Sequence, residues 1–93
     1  MKTTILQQIN PTFRVDNEKE VYDKNEYKIV FDKEYEGRPE KTDIQLCDWY
    51  FEMSNRAQLD GFTGHSLSVS DIVVIDGNAY ICKNIGWKKI ELV

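Results

Sequence analysis

Histidine occurs once in these 93 residues, and cysteine and proline twice each. Cys47 and Cys82 lie far apart, with no CxxC pair and no histidine at co-ligand spacing, which argues against a disulfide framework and a zinc site. Both read as small, buried, reduced hydrophobes. The chain also lacks an excess of positive charge: 12 basic against 16 acidic residues leave a net charge of −4. Phosphate-backbone binding needs a clustered surplus of Lys and Arg, so nucleic acid is a poor first candidate for a direct partner. The stretch from Met1 to Gln8 has no apolar run of the kind that a signal peptide or a membrane span requires, so the expected compartment is the cytoplasm, with no membrane partner. No glycine-rich phosphate loop of the Walker or Rossmann type is present, and no cofactor is expected.

What is present fits one small folded unit covering residues 1–93. Hydrophobic residues make up 41% and aromatic residues 12%, ordinary core material for a soluble domain. A chain of this length buries only about 60 to 65% of the surface its unfolded form exposes, so the core has to be compact.

Thr3 to Gln8 is rich in β-branched residues and is stopped by the breaker pair Asn10-Pro11, which predicts a first strand. Phe13-Arg14-Val15 alternates once more. Asp16 to Asn25 is a charge-dense connector, held down by Val21 and Tyr22 and able to carry a turn of helix. Glu26 to Glu36 predicts a strand with Tyr27, Ile29 and Phe31 on one face. Gly37 to Lys41 is a turn-rich linker. The acidic residues of this region, Asp32, Glu34 and Glu36 among them, read either as a recognition edge or as a solvated strand face.

Thr42 then caps the one convincing helix, about 42–55. Gln45 three residues on completes a capping box, and Asp43 suits the positive end of the helix dipole. Gln45, Asp48, Glu52 and Asn55 share a narrow polar arc, leaving an apolar sector wider than one sheet face needs. The preferred expectation is a helix clasped by both the sheet and the neighbouring loop; the alternative is an exposed partner surface on one flank, at Trp49 with Met53 or Tyr50.

Gly61 to Asp71 is a polar, glycine-hinged loop leading into Ile72-Val73-Val74-Ile75. That strand shows no polar alternation and is expected at the centre of the sheet, covered on both faces. Asp76-Gly77 is a strong hairpin signal, Ala79 to Lys83 pairs back, and Trp87 to Leu92 forms a last strand after a bend at Gly86. The fold class is therefore α+β: four to five strands in a mostly antiparallel sheet, one principal helix, and a C-terminal β-hairpin meander over about 71–92.

The run Phe62-Thr63-Gly64-His65-Ser66-Leu67-Ser68-Val69-Ser70-Asp71-Ile72-Val73-Val74, followed by Ala79-Tyr80 and Ile85-Gly86-Trp87-Lys88, resembles the YodL-like domain. The likeness is strong over roughly the last 35 residues, looser from about residue 27, and says little about the first 25. It implies a small α+β fold in the setting of Firmicute conjugative elements and phages, and no particular reaction. Members usually have a longer hairpin turn and an acidic residue in the return strand, where this chain has Lys83.

His65, Ser66 and Asp71 are the residue types of a hydrolase triad, but no Gly-x-Ser-x-Gly elbow surrounds Ser66, and a triad draws its members from separate elements. Gly61, Phe62, Gly64, His65, Ser66, Leu67, Ser68, Ser70 and Asp71 are accordingly read as a structural signature. Lys83, Trp87, Lys88 and Lys89 are the basic feature that could touch nucleic acid by charge and stacking. The leading functional expectation is a non-catalytic module that binds a host or element-encoded protein, with an inhibitor of a host defence nuclease as its concrete form. The alternative is a weak nucleic-acid-binding accessory of conjugation or phage growth.

Overall fold

A computed structural model describes residues 1–10 and 19–93. The expected alternation at Phe13-Arg14-Val15 and the start of the connector at Asp16 lie outside the described residues. The elements in chain order are β1 (Lys2–Gln8), β2 (Val21–Tyr22), a 3-10 turn (Lys24–Glu26), β3 (Tyr27–Glu34), α1 (Asp43–Asn55), β4 (Ile72–Ile75), β5 (Asn78–Cys82) and β6 (Trp87–Leu92). One sheet runs in the order β2-β6-β5-β4-β1-β3. All its pairings are antiparallel except β2 with β6. The α+β class stands. Among the described residues the sheet has six strands rather than four to five, because Val21-Tyr22 in the charged connector adds a short parallel strand against Glu91-Leu92.

The sheet is strongly curled, and chain length explains why. β2 and β3 occupy opposite edges, yet only the turn residues separate Tyr22 from Tyr27. Six flat strands at about 4.8 Å spacing would put those edges about 24 Å apart, whereas five residues span at most about 18 Å. Tyr22 and Tyr27 both pack into a cluster with Leu6, Ile72, Ala79, Ile81 and Ile90. The curl thus closes over that face.

The opposite face carries the helix. Leu46, Cys47 and Tyr50 pack on Ile5, Phe31, Val73, Ile75 and Tyr80, and the Tyr50 hydroxyl, buried beneath the helix, donates to Thr3 Oγ1 at 2.9 Å. β4 lies between β5 and β1 with Ile72, Val73 and Ile75 fully buried, as its unbroken apolar run predicts. The helix begins as expected: the Gln45 amide donates to Thr42 Oγ1 and the Thr42 amide to Gln45 Oε1.

One expectation needs correction. Tyr27, Ile29 and Phe31 do not share a face. A β-bulge falls between the pairs Ile5↔Phe31 and Leu6↔Ile29, so Val30 is an extra residue on β3. Beyond it, Val30 and Phe31 turn under the helix, while Tyr27 stays with the other cluster and Ile29 is 60% exposed at the edge. The helix is clasped by the sheet and by the loop from Gly61 to Asp71, since Leu67 and Phe62 join Leu46, Cys47 and Tyr50 in one cluster, while Ile44, Trp49 and Phe51 remain between 37% and 39% exposed.

The loop before α1 is tied to the sheet by Arg38. Its guanidinium pairs with Asp43 at the helix start and with Asp76 in the β4–β5 turn at 3.0 Å. The Tyr80 hydroxyl donates to Asp43 Oδ2 at 2.6 Å, and the Lys2 amide donates to Asp76 Oδ1 at 2.9 Å. Burial alone would raise the Asp43 carboxyl, but the hydrogen bonds from Tyr80 and Arg38 outweigh it and hold the group below the usual carboxylate range. The Lys2 amide, aided by Arg38, holds Asp76 low as well, against a smaller opposing effect of burial.

Depressed carboxyl pKa values in the folded chain mean that these two groups contribute stability above their unfolded values, near pH 4. That contribution is lost as pH falls through the folded values. Thermal melts between pH 6 and pH 2.5 are expected to show a falling acid limb that is shallower in Asp43→Asn than in the parent.

Candidate functional site

The signature loop is built around a buried amide. Gln7 on β1 is fully buried, and its side chain is satisfied almost entirely by the loop. Gln7 Nε2 donates to the His65 carbonyl at 2.8 Å and to Asp71 Oδ2 at 3.0 Å, while Oε1 accepts from the His65 amide at 3.2 Å. Asp71 Oδ2 also accepts from the Ser68 amide at 2.9 Å. Thr63 donates its amide and its hydroxyl to the carbonyl of Val30, at the bulge. The loop therefore caps β3 where that strand kinks.

Small residues are needed for so close an approach. A Cβ on Gly64 would fall 2.1 Å from Gln7 Oε1 and 3.0 Å from Val30 Cβ. Gly61 serves conformation instead, at φ +85 with open space around it. Phe62 is half-buried against the helix-side core and Leu67 is buried within it. The Leu67 amide donates to Ser54 Oγ at 3.1 Å, tying the loop to α1. Ser70 is buried at φ +79, and its amide donates to the Cys82 carbonyl at 2.9 Å.

This geometry brings His65 and Asp71 together through Gln7 and gives each a partner other than Ser66 Oγ. His65 is exposed, and its Nδ1 lies 2.8 Å from the main-chain carbonyl of Ser66. Asp71 directs its carboxylate at Gln7 and the Ser68 amide. Burial pushes the Asp71 carboxyl up, with the Ser68 and Gln7 bonds acting against it. Burial likewise pushes the Cys47 thiol up to about 12 and Cys82 up to about 11, which disfavours the reactive thiolate. Among the described residues, no three His, Cys, Asp or Glu gather into a metal site.

A second place has the shape of a binding site. A cleft of about 660 Å³ opens between α1 and the loop from Tyr35 to Lys41. Leu46 and Tyr50 from the helix and Tyr35 from the end of β3 supply apolar lining, Trp49 is 39% exposed beside it, and Glu36, Arg38 and Lys41 bring charge. Trp49 stands edge-on to Tyr50 with ring centroids 5.1 Å apart. A second hollow of about 260 Å³ lies under the signature loop, between Ser54, Leu59, Phe62 and Ser66.

The expected partner surface is divided. Glu36 and Trp49 line the same cleft. Met53, one helical turn beyond Trp49, is half-buried. Asp32 and Glu34 are exposed on the opposite face of β3 from the core residue Phe31, and Asp32 accepts from Thr4 Oγ1 at 2.9 Å. The basic feature is divided too. Lys88 and Lys89 are consecutive strand residues and project to opposite faces. Lys88 Nζ reaches the Lys19 carbonyl, and Lys83 is half-buried. Trp87 donates its indole N–H to Asp48 at 3.0 Å and stands edge-on to Phe51.

Tyr35, Arg38, Lys41 and Gln7 were not singled out by sequence reasoning. Arg38 and Lys41 sit in what reads as a plain linker, Tyr35 reads as one more residue of the strand Glu26 to Glu36, and Gln7 looks like one of two interchangeable glutamines until the pairing decides which is buried.

The fold and sites define a small α+β domain with a structural signature loop and an apolar cleft at one end of its helix. The chain belongs to the YodL-like domain family, whose model matches residues 4–92. The match includes β1, well beyond where sequence resemblance was strong. No curated protein and no solved structure matches the chain. No helix among the described residues is long and apolar enough to cross a membrane.

Two substitutions test the structural reading of the loop. Gly64→Ala is expected to destabilise by about 1 to 3 kcal/mol, since neither the bonded Gln7 amide nor the β3 bulge can yield freely; chemical denaturation measures it. Asp71→Asn retains an acceptor oxygen for Ser68 and Gln7 without the desolvated charge. Because a raised folded-state pKa costs stability at pH values above it, this variant is expected to be at least as stable as the parent at pH 7. Asp71→Ala is expected to lose about 1 to 3 kcal/mol.

Proposed function

We propose that this chain is a non-catalytic protein-binding domain that receives an anchor side chain of its partner in the cleft beside Trp49. One observation carries the reading: a partly exposed tryptophan stands over an apolar hollow rimmed by Glu36, Arg38 and Lys41. Buried apolar anchors ringed by polar groups dominate the energetics of protein interfaces, and tryptophan is enriched among them. The Arg38 clasp supports the reading, because a loop tied to both α1 and the β4–β5 turn offers a preorganised wall.

The concrete form of this proposal is a cytoplasmic inhibitor of a host nuclease that defends against mobile DNA, such as a CRISPR or restriction effector. Net charge −4 and the exposed pair Asp32 and Glu34 suit a partner whose groove is basic because it holds nucleic acid. The mobile-element setting suggested by family resemblance points the same way. The division of Lys83, Trp87, Lys88 and Lys89 over two faces gives less support to direct nucleic-acid binding.

The test is affinity capture on candidate effector nucleases with the parent chain and Trp49→Ala, alongside protection of invading DNA in cells. A folded Trp49→Ala chain is expected to lose about 2 kcal/mol of partner affinity, roughly 30-fold. Parent protein that recovers no effector and protects no DNA removes the inhibitor reading. Salt-sensitive gel shifts abolished by Lys89→Glu would replace protein binding with nucleic-acid binding.

A further inference from the structure

We propose that the outer edge of β3 at Asp32 and Glu34 is a strand-addition site for an extended peptide in which cationic residues alternate with apolar ones. This inference rests on the cleft reading above and names the chemistry of the segment that occupies it.

β3 is the terminal strand on its side of the sheet, and its hydrogen-bond phase can be read directly. Tyr35 donates its amide to the Met1 carbonyl at 2.7 Å and accepts from the Met1 nitrogen at 2.9 Å. In an antiparallel pair such exchanging residues alternate with residues whose backbone groups point away from the neighbour. With Thr3 opposite Lys33 and Lys2 opposite Glu34, Lys33 and Tyr35 address β1, while Asp32 and Glu34 address the outside. Lys2 bears out the phase, since its amide and carbonyl both bond Asp76 on the β4 side.

The chain covers part of this edge itself: the outward carbonyl of Val30 accepts from Thr63 at 2.9 Å. Among the described residues, none bonds the backbone N–H or C=O of Asp32 or Glu34. Two successive outward positions, next to a carbonyl that already accepts from a loop, are what an added strand uses.

Side chains then decide the occupant. An added strand shares faces with β3 in alternation. Its residues level with Asp32 and Glu34 meet two exposed carboxylates and favour positive charge. The residue level with Tyr35 lies on the helix side, where Tyr35 and Trp49 line the cleft, and favours an apolar group. A second copy of this chain fits badly. Two-fold antiparallel pairing centred on Lys33 would set Asp32 of one copy against Glu34 of the other, and like charges directly opposed destabilise a sheet. The acidic edge thus rejects itself and selects a basic strand.

The test uses the full chain and a fluorescein-labelled peptide carrying the alternating core Lys-Phe-Lys-Leu-Lys, with a Glu-for-Lys counterpart as control, read by fluorescence anisotropy. Glu34→Pro removes an outward N–H without removing a ladder bond to β1, and Glu34→Lys reverses the charge. The basic peptide is expected to bind the parent and to bind each variant about tenfold more weakly, while Glu34→Lys gains affinity for the acidic peptide. Should Glu34→Pro fail to fold by circular dichroism, the charge swap carries the test. Binding weakened by Trp49→Ala but unchanged in both Glu34 variants overturns strand addition and leaves the cleft standing. Binding weakened in the Glu34 variants but not in Trp49→Ala keeps strand addition and removes the cleft anchor. A parent chain that binds neither peptide, or that instead dimerises through an edge blocked by Glu34→Pro, overturns the proposal.

Discussion

The fold turns on one buried amide. Gln7 sits on the helix-side face of a central strand, where an unpaired polar group would cost several kcal/mol. Its donor and acceptor atoms are met by the signature loop at His65 and Asp71. This couples three things that are distant in sequence: the first strand, the loop leaving the helix, and the entry into the central strand β4. It also requires Gly64 at the point of closest approach. Gly64 and Asp71 are thereby accounted for, one by the closeness of the approach and the other as an acceptor for the amide.

A second constraint comes from the short link between opposite edges of the sheet. Because Tyr22 and Tyr27 lie on edge strands joined by only a tight turn, the sheet curls and encloses a cluster of its own, leaving the other face for α1. The bulge at Val30 lets β3 serve both sides. Before it the strand contributes Tyr27 to the curl, and after it Phe31 to the helix interface. Thr63 bonds the carbonyl at that bulge, so the kink in β3 and the path of the signature loop are one feature.

The helix buries Leu46, Cys47, Tyr50 and Ser54, which leaves Trp49 partly exposed over a hollow that Arg38 also lines. On the same side β3 ends as an edge strand whose outward backbone groups follow the part covered by Thr63. The apolar cleft and the strand edge lie side by side, so the proposed partner would find side-chain and main-chain contacts in one place.

Local chemistry made much of this legible in the chain. The Thr42/Gln45 capping box, the Asp76-Gly77 turn, the apolar run Ile72 to Ile75 and the last strand at Trp87 depend on residues close in sequence, and all appear where their patterns place them. Other features depend on pairings that the pattern leaves open. A bulge adds a single residue and reverses every face beyond it, so Tyr27-Ile29-Phe31 reads as one buried stripe until β1 supplies the register. Val21-Tyr22 becomes a strand only because β6 lies beside it. Gln7 and Gln8 look alike until β1 is placed between β4 and β3, and residues 37–41 look like a linker until Arg38 finds Asp43 and Asp76. The sequence by itself determined the class of fold, the helix and its cap, the central hairpin and the family. Only the tertiary structure decided which amide is buried, where β3 changes face, and that a cleft and a strand edge meet beside Trp49, because each of those depends on groups brought together by strand pairing between residues far apart in the chain.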